Sequence, residues 1–230
     1  MSSDQFPFSV LYEDNHLLAL NKPVALPTMG VPDNRPTLLS LAKDYIRQKY
    51  NKPGEVYLGI VSRLDAPVSG VVLIARTSKA AARLTTQFRQ RLVEKLYWAV
   101  VEGDVSPEEA TLTNYLRKDE RHRKMHTTNP GAPDAREAIL GYQVRGQTAT
   151  QSWLEVRPVT GRKHQIRVQL AKLGHPILGD RKYGSRVGFP AGIALHARQL
   201  TLEHPVRHSR LELTAPLPPA WKPLTRKLVR

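Results

Sequence analysis

No cysteine occurs among the 230 residues. Disulfides, thiolate metal sites and a thiol nucleophile are excluded together. Long apolar runs are missing too. None approaches the roughly 18 residues a bilayer-spanning helix needs, and no basic segment has the clean apolar face of a membrane-surface helix. The opening stretch MSSDQFPFSVLYEDN carries acids and lacks a basic-then-apolar pattern, so it does not read as a signal peptide. A cytoplasmic protein is the expectation. Acids are scarce beside bases: 20 Asp and Glu face 35 Lys and Arg, a net charge of +15. That imbalance favours a polyanionic partner, because each phosphate neutralised also releases condensed counterions. A hydrophobic share of 40% is enough for a folded core, in one sizeable domain or two small ones.

Periodicity places the elements. Ser9 to Glu13 and His16 to Leu20 read as a hairpin turning at Asp14-Asn15. Residues 24–36 hold three prolines and read as an exposed loop, a common place for partner contacts. Thr37 caps a helix with its apolar stripe on Leu38, Leu41, Tyr45 and Ile46. Val56 to Val61 and Val71 to Ala75 read as buried strands. A helix runs from about Ser78 to Leu92, with Ala81, Leu84, Phe88 and Leu92 at helical spacing. Lys95 to Val101 is strand-like, Thr111 to Leu116 is a short strand, and the charged run 117–124 reads as a solvated arm. Order returns at 135–143. Trp153 to Val159 alternates like a strand, and Arg162 to Leu173 reads as a helix closed by Gly174. Ile193 to Leu202 and Leu211 to Leu213 are the last strands. With no sustained βαβ repeat and no interdomain linker, the expectation is one α+β domain over residues 1–230. Its sheet is mixed and mainly antiparallel, with flanking helices.

Three stretches carry polar chemistry. Between the strands at 56–61 and 71–75 lies Ser62-Arg63-Leu64-Asp65, a carboxylate in a short break between rigid elements. Taken alone, that setting favours Asp65 as a turn cap or a partner of Arg63. Tyr97 begins a buried strand and reads as core as readily as function. In Thr160-Gly161-Arg162-Lys163-His164-Gln165-Ile166-Arg167, polar groups crowd a helix start, where exposed N–H groups and the dipole attract anions. Arg167 lies between Ile166 and Val168, so a partly buried guanidinium needs a carboxylate partner, and Asp65 is a candidate.

In combination these stretches resemble the pseudouridine synthases related to the large-subunit rRNA enzymes. SRLDAPVSG is similar to their HRLDxxTSG signature and KLYWAVVEG to their KxYxAxVxG strand. TGRKHQIRVQLAKLGHPILGDRKYG resembles TGRxHQIRxHLxxxGHPIxGDxxYG over almost its whole length. IALHARQLTLEHP and the opening LYEDNHLLALNKPVALPT resemble two further family motifs, and all five stand in order across about residues 8–205.

The resemblance implies a fold with a central RNA-binding cleft and isomerisation of a uridine in structured RNA, rRNA or tRNA, to pseudouridine. It implies a catalytic role for Asp65, as nucleophile on the ring or on C1′ or as base, in line with covalent catalysis by carboxylates. Tyr97 would pack on the target base, which must leave the RNA stack. Arg167 would pair with Asp65. Arg63, Leu64, Arg162, Lys163, His164 and Leu195 would contact substrate. No organic cofactor or metal is implied, a monomer is expected, and so is a chain without the small N-terminal RNA-binding domain of some relatives. Ser62 stands where the family has His, Val68 where it has Thr, and Gln169 where it has His, which bears on RNA contacts and target preference. A second expectation is an RNA-binding protein of the same fold without catalysis. Retention of Asp65, Tyr97 and Arg167 weighs against it, since a pure binder needs only positive charge.

Overall fold

The computed structural model describes residues 5–30, 35–122 and 124–224. Val31 to Asn34 of the proline-rich loop and Arg123 of the charged run lie outside the described residues. The chain falls into two compact units. One holds the described residues up to Glu94 together with Ala197–Pro216, the other Lys95–His196 together with the described residues from Leu217 on.

In the first unit, β1 (Ser9–Glu13) and β2 (Leu17–Lys22) form the expected hairpin. Its turn is held by Asp14, whose Oδ1 accepts the amides of His16 and Leu17, each at 2.8 Å. β2 pairs antiparallel with β4 (Ser69–Ala75) from Leu17↔Ala75 to Lys22↔Gly70. β4 lies beside β10 (Leu195–Glu203), whose residues from Ala197 on belong to this unit, and β10 pairs antiparallel with β11 (Arg210–Thr214).

Every residue of β4 is buried, because a helix covers each face. Val72 and Ile74, with Leu18 and Leu20, pack on Leu38, Ala42 and Ile46 of α1 (Leu38–Lys49). Val71, Leu73 and Ala75, with Leu17 and Ala19, pack on Ala80 and Leu84 of α2 (Ser78–Arg89). This is the period-2 alternation of a strand, apolar on both sides, and it explains why β4 reads as an unbroken apolar run. Thr37 caps α1 as expected, in a capping box with Ser40. Thr77 caps α2.

Two expectations fail in this unit. The strand predicted over Val56 to Val61 shrinks to β3 (Gly59–Ile60), paired with Ala75 and Ile74. Val56 and Leu58 are buried and Tyr57 is exposed, so the alternation is real. The far edge of β4 is shared with β10, however, and only its last residues are left for β3. The second failure is Leu92, which is 63% exposed: α2 stops at Arg89, and Arg91 takes a positive φ of 61°.

The second unit holds an antiparallel sheet in the order β5 (Glu94–Glu102), β9 (Gln151–Pro158), β8 (Arg136–Thr148), β6 (Glu109–Asp119), β7 (Lys124–Thr128). The charged run is not a loose arm here. Residues 117–119 finish β6 and pair with 124–126 of β7, because Leu116 and Met125 are buried against Val168 and Tyr183 while the charges take the solvated positions.

α3 (Gln165–Lys172) begins later than Arg162, since His164 holds φ +53° and cannot continue a helix. The residues before it are braced by Gln165. Its Oε1 accepts the Thr160 hydroxyl (2.7 Å) and the Arg162 amide (2.9 Å), and its Nε2 donates to the Ile139 carbonyl (3.0 Å). The C-terminus ends as expected, with Gly174 at φ +97°. The amides of Gly174 and His175 return to the carbonyls of Ala171 and Leu170 in a Schellman motif.

Gly70 tests the packing of the first unit. Its φ of +116° excludes most side chains, and a Cβ there would run into the backbone of Ala197. Gly70→Ala is expected to lower the unfolding free energy by about 3 kcal/mol or more, read from the urea midpoint. A loss below about 1 kcal/mol would show that β10 can step aside.

Candidate active site

Asp65 lies on residues 61–68, between β3 and β4, where the chain makes no ladder. Buried backbone polar groups need partners wherever they are, and here side chains supply them. The Ser62 hydroxyl accepts the Leu73 amide (3.0 Å) and donates to the Leu73 carbonyl (3.4 Å), taking the place residue 61 would hold were the ladder continued. Thr28 Oγ1 accepts the Leu64 amide (3.1 Å) and donates to the Leu64 carbonyl (2.8 Å). Lys22, at the end of β2, donates from Nζ to the carbonyls of Pro23 (2.8 Å), Leu26 (2.8 Å) and Ala66 (3.2 Å). The Val68 amide closes the turn on the Asp65 carbonyl at 3.0 Å. Asp65 is half-buried, Arg63 is exposed, and Leu64 packs against the α1 side of the core.

Lys22 has no solvent exposure at all. Burial drives its pKa down from 10.5 to about 7, and the negative charge of Asp65 works against that fall.

In the second unit Tyr97 lies half-buried on β5, opposite Val156 of β9. Arg167, 5% exposed, projects from α3 onto Asp180, which is 1% exposed. The contact is bidentate, Nε to Oδ2 at 2.7 Å and Nη2 to Oδ1 at 2.8 Å. The guanidinium also lies over the Tyr183 ring, 5.0 Å from its centroid, and Lys124 lies 4.9 Å from the same centroid. The Tyr183 hydroxyl accepts the Met125 amide (3.0 Å) and stands 2.7 Å from His164 Nδ1.

Asp180 is itself held: its carbonyl accepts the amides of Tyr183 and Ser185. The loop beyond is pinned by Glu102, whose Oε1 accepts the Ser185 hydroxyl and the amides of Arg186 and Val187.

Of the residues singled out in the sequence, Arg63, Leu64 and Asp65 share one clamped loop. His164 and Arg167 meet at Tyr183. Arg162 and Lys163 are exposed before α3, with Arg162 Nε on the Glu137 carbonyl (2.9 Å), and Leu195 is buried at the start of β10. Sequence reasoning missed Lys22, Thr28, Asp180 and Tyr183. Their signal was available, since NKPVALPT contains the first two and ILGDRKYG the others, but each acts on a distant residue.

The departing residues have internal work. Ser62 brackets Leu73. Val68 is buried. Gln169 Nε2 faces the Leu112 and Ala138 carbonyls and Asn114 Oδ1 at 2.9–3.1 Å, tying α3 to β6 and β8. Among the described residues there is no His, Asp and Glu group suited to a metal ion, and no helix is long and apolar enough to cross a membrane.

A sheet flanked by helices, with a carboxylate fixed in a break between strands, agrees with the sequence resemblance, and comparison with known proteins settles the class. The family described as RNA pseudouridylate synthase matches residues 16–172. An uncharacterized RNA pseudouridine synthase of Synechocystis sp. is 33% identical over 229 residues, covering 96% of this chain and 69% of that protein. Ribosomal large subunit pseudouridine synthase D of Xylella fastidiosa is 35% identical over 230 residues, covering 92% of this chain and 66% of that protein. Human RNA pseudouridylate synthase domain containing 4 superposes with a TM-score of 0.80 at 27% identity, covering 96% of this chain and 92% of that one. The chain therefore belongs to the RNA pseudouridylate synthase family, a family of isomerases, and has its α+β fold.

Two measurements probe the site. With a folded pKa near 7 against an ordinary 10.5 for Lys22, the unfolded chain binds the extra proton between those values. The contribution of Lys22 to stability is then lowest below pH 7 and grows as pH rises towards 10.5. Lys22→Met is expected to flatten that part of the pH dependence of the urea midpoint. An unchanged slope between pH 7 and 10 would refute the burial of a charged amine. Separately, Asp180→Asn should cost about 3–5 kcal/mol by leaving a buried guanidinium half-paired, measured by denaturant unfolding. A loss near zero would mean that solvent or another acceptor takes over.

Proposed function

We propose that this protein converts a specific uridine of structured RNA, in rRNA or tRNA, to pseudouridine, and that residues 1–230 work as one catalytic domain. The N1–C1′ bond breaks, C1′ joins C5, the C5 proton leaves and N1 regains one. Asp65 is the catalytic carboxylate, as nucleophile or base. The observation that carries this reading is its loop: a half-buried Asp in the SRLD stretch, with the Ser62 side chain tied to Leu73 and the backbone of residues 64 and 66 clamped by Thr28 and Lys22. A turn-capping Asp on the surface needs no such support.

Tyr97, packing on the flipped base, and Arg167, steadying the carboxylate, take their roles from the motif match. So do the substrate contacts of Arg63, Leu64, Arg162, Lys163, His164 and Leu195. The charge of +15 suits an RNA partner. The reading needs no cofactor, and it has the protein acting as a monomer in the cytoplasm.

Asp65→Asn is expected to abolish tritium release from 5-tritiated uridine in RNA, a loss of at least about 10³-fold, while filter-binding affinity for the same RNA stays within about threefold. Turnover that survives the substitution would sink the assignment. A wild type that binds RNA but never forms pseudouridine would favour a binding protein of the same fold.

A further inference from the structure

The clamps around Asp65 differ in kind. Lys22 donates only, and it reaches one carbonyl of the loop. Ser62 and Thr28 each use one hydroxyl oxygen to donate and accept at once, so each satisfies both backbone groups of a single residue. Neither hydroxyl caps a helix or fills the apolar core. One bracket closes on the residue immediately before Asp65, and the other starts three residues before it.

Each bracket is also mounted on something rigid. Thr28 is 3% exposed, and its own carbonyl accepts the Leu39 amide (3.1 Å) while that of Pro27 accepts the Leu38 amide (2.8 Å), which fastens it to the first turn of α1. Ser62 is fastened to Leu73, in the middle of a strand buried on both faces. We propose that Thr28 and Ser62 are positioning residues for Asp65, two hydroxyl brackets that reference its loop to α1 and to β4. The proposal rests on the reading of Asp65 as the catalytic carboxylate. It predicts that placement of the loop, rather than RNA affinity or global folding, is what the hydroxyls supply.

The test compares Thr28→Val, which keeps the shape and removes both hydrogen bonds, with Thr28→Ser, which keeps the oxygen. The full chain is used in excess over 5-tritiated total RNA from a strain lacking the gene, so that a single-turnover rate is read. Thr28→Val is expected to slow that rate by about 10- to 100-fold, and Thr28→Ser to stay within about threefold of wild type. Filter binding of the RNA should be unchanged in both. Amide hydrogen exchange should accelerate in Thr28→Val over residues 61–68 while the peptides of α2 keep their protection.

A wild-type rate in Thr28→Val, or an equal loss in Thr28→Ser, overturns the positioning role. So does a loss of RNA binding that matches the loss of rate. If the wild type itself forms no pseudouridine, it is the reading of Asp65 that fails, and the two failures are thereby told apart.

Discussion

A backbone segment that leaves a sheet must still satisfy its N–H and C=O groups, and that requirement shapes the surroundings of Asp65. A loop open to water could leave the task to solvent. This one runs between β3 and β4 beside a closed core: the Thr28 hydroxyl takes both backbone groups of Leu64, the Lys22 ammonium takes the Ala66 carbonyl, and the loop's own Ser62 hydroxyl ties it to Leu73 of β4. Each partner needs a fixed base. β2 carries Lys22, the loop strapped to α1 carries Thr28, and the fully buried β4 receives Ser62. The helices on both faces of β4 therefore do more than bury apolar area. They fix the frame in which one carboxylate is placed.

The two units bury their cations by different means. Arg167 is matched by a carboxylate in fork geometry, so its charge is neutralised where it lies. Among the described residues Lys22 has only carbonyl oxygens within bonding reach, and dipoles stabilise an ammonium less than a full negative charge does. Its proton is accordingly held loosely, with a pKa of about 7. The charge of Asp65 is what keeps it from falling further. Asp65 thus helps to keep charged the group that clamps its own loop.

Legibility in the sequence followed the range of each interaction. β4, the β1–β2 hairpin, the capped α1 and the Schellman end of α3 depend on neighbours within a few residues, and periodicity or a cap residue announced them. Val56 to Leu58 kept the alternation of a strand without becoming one, because pairing depends on a free edge that no local pattern reveals. The start of α3 was misplaced because the left-handed backbone of His164 falls on a non-glycine residue. Asp65 and Arg167 stood out by their local settings, and the roles expected of them came from motif resemblance. Asp180, 13 residues from Arg167, and Thr28, 36 residues from Leu64, lay within the same matched stretches but went unassigned, as resemblance marks positions without saying what they touch.

The same distinction bears on the three positions where this chain departs from its family's pattern. A changed residue near Asp65 invites the thought that it alters target choice. Yet the Ser62 oxygen is committed to Leu73, Val68 is buried, and Gln169 is enclosed among the acceptors of β6 and β8. Side chains spent on backbone groups of their own chain are poor readers of a base or a phosphate. The side chains at 62 and 169 thus brace the scaffold, and that of Val68 is buried in it. Arg63 next to Asp65 and Arg162 and Lys163 before α3 are exposed, and their guanidinium and ammonium groups suit phosphate contacts, which position an RNA rather than select its sequence.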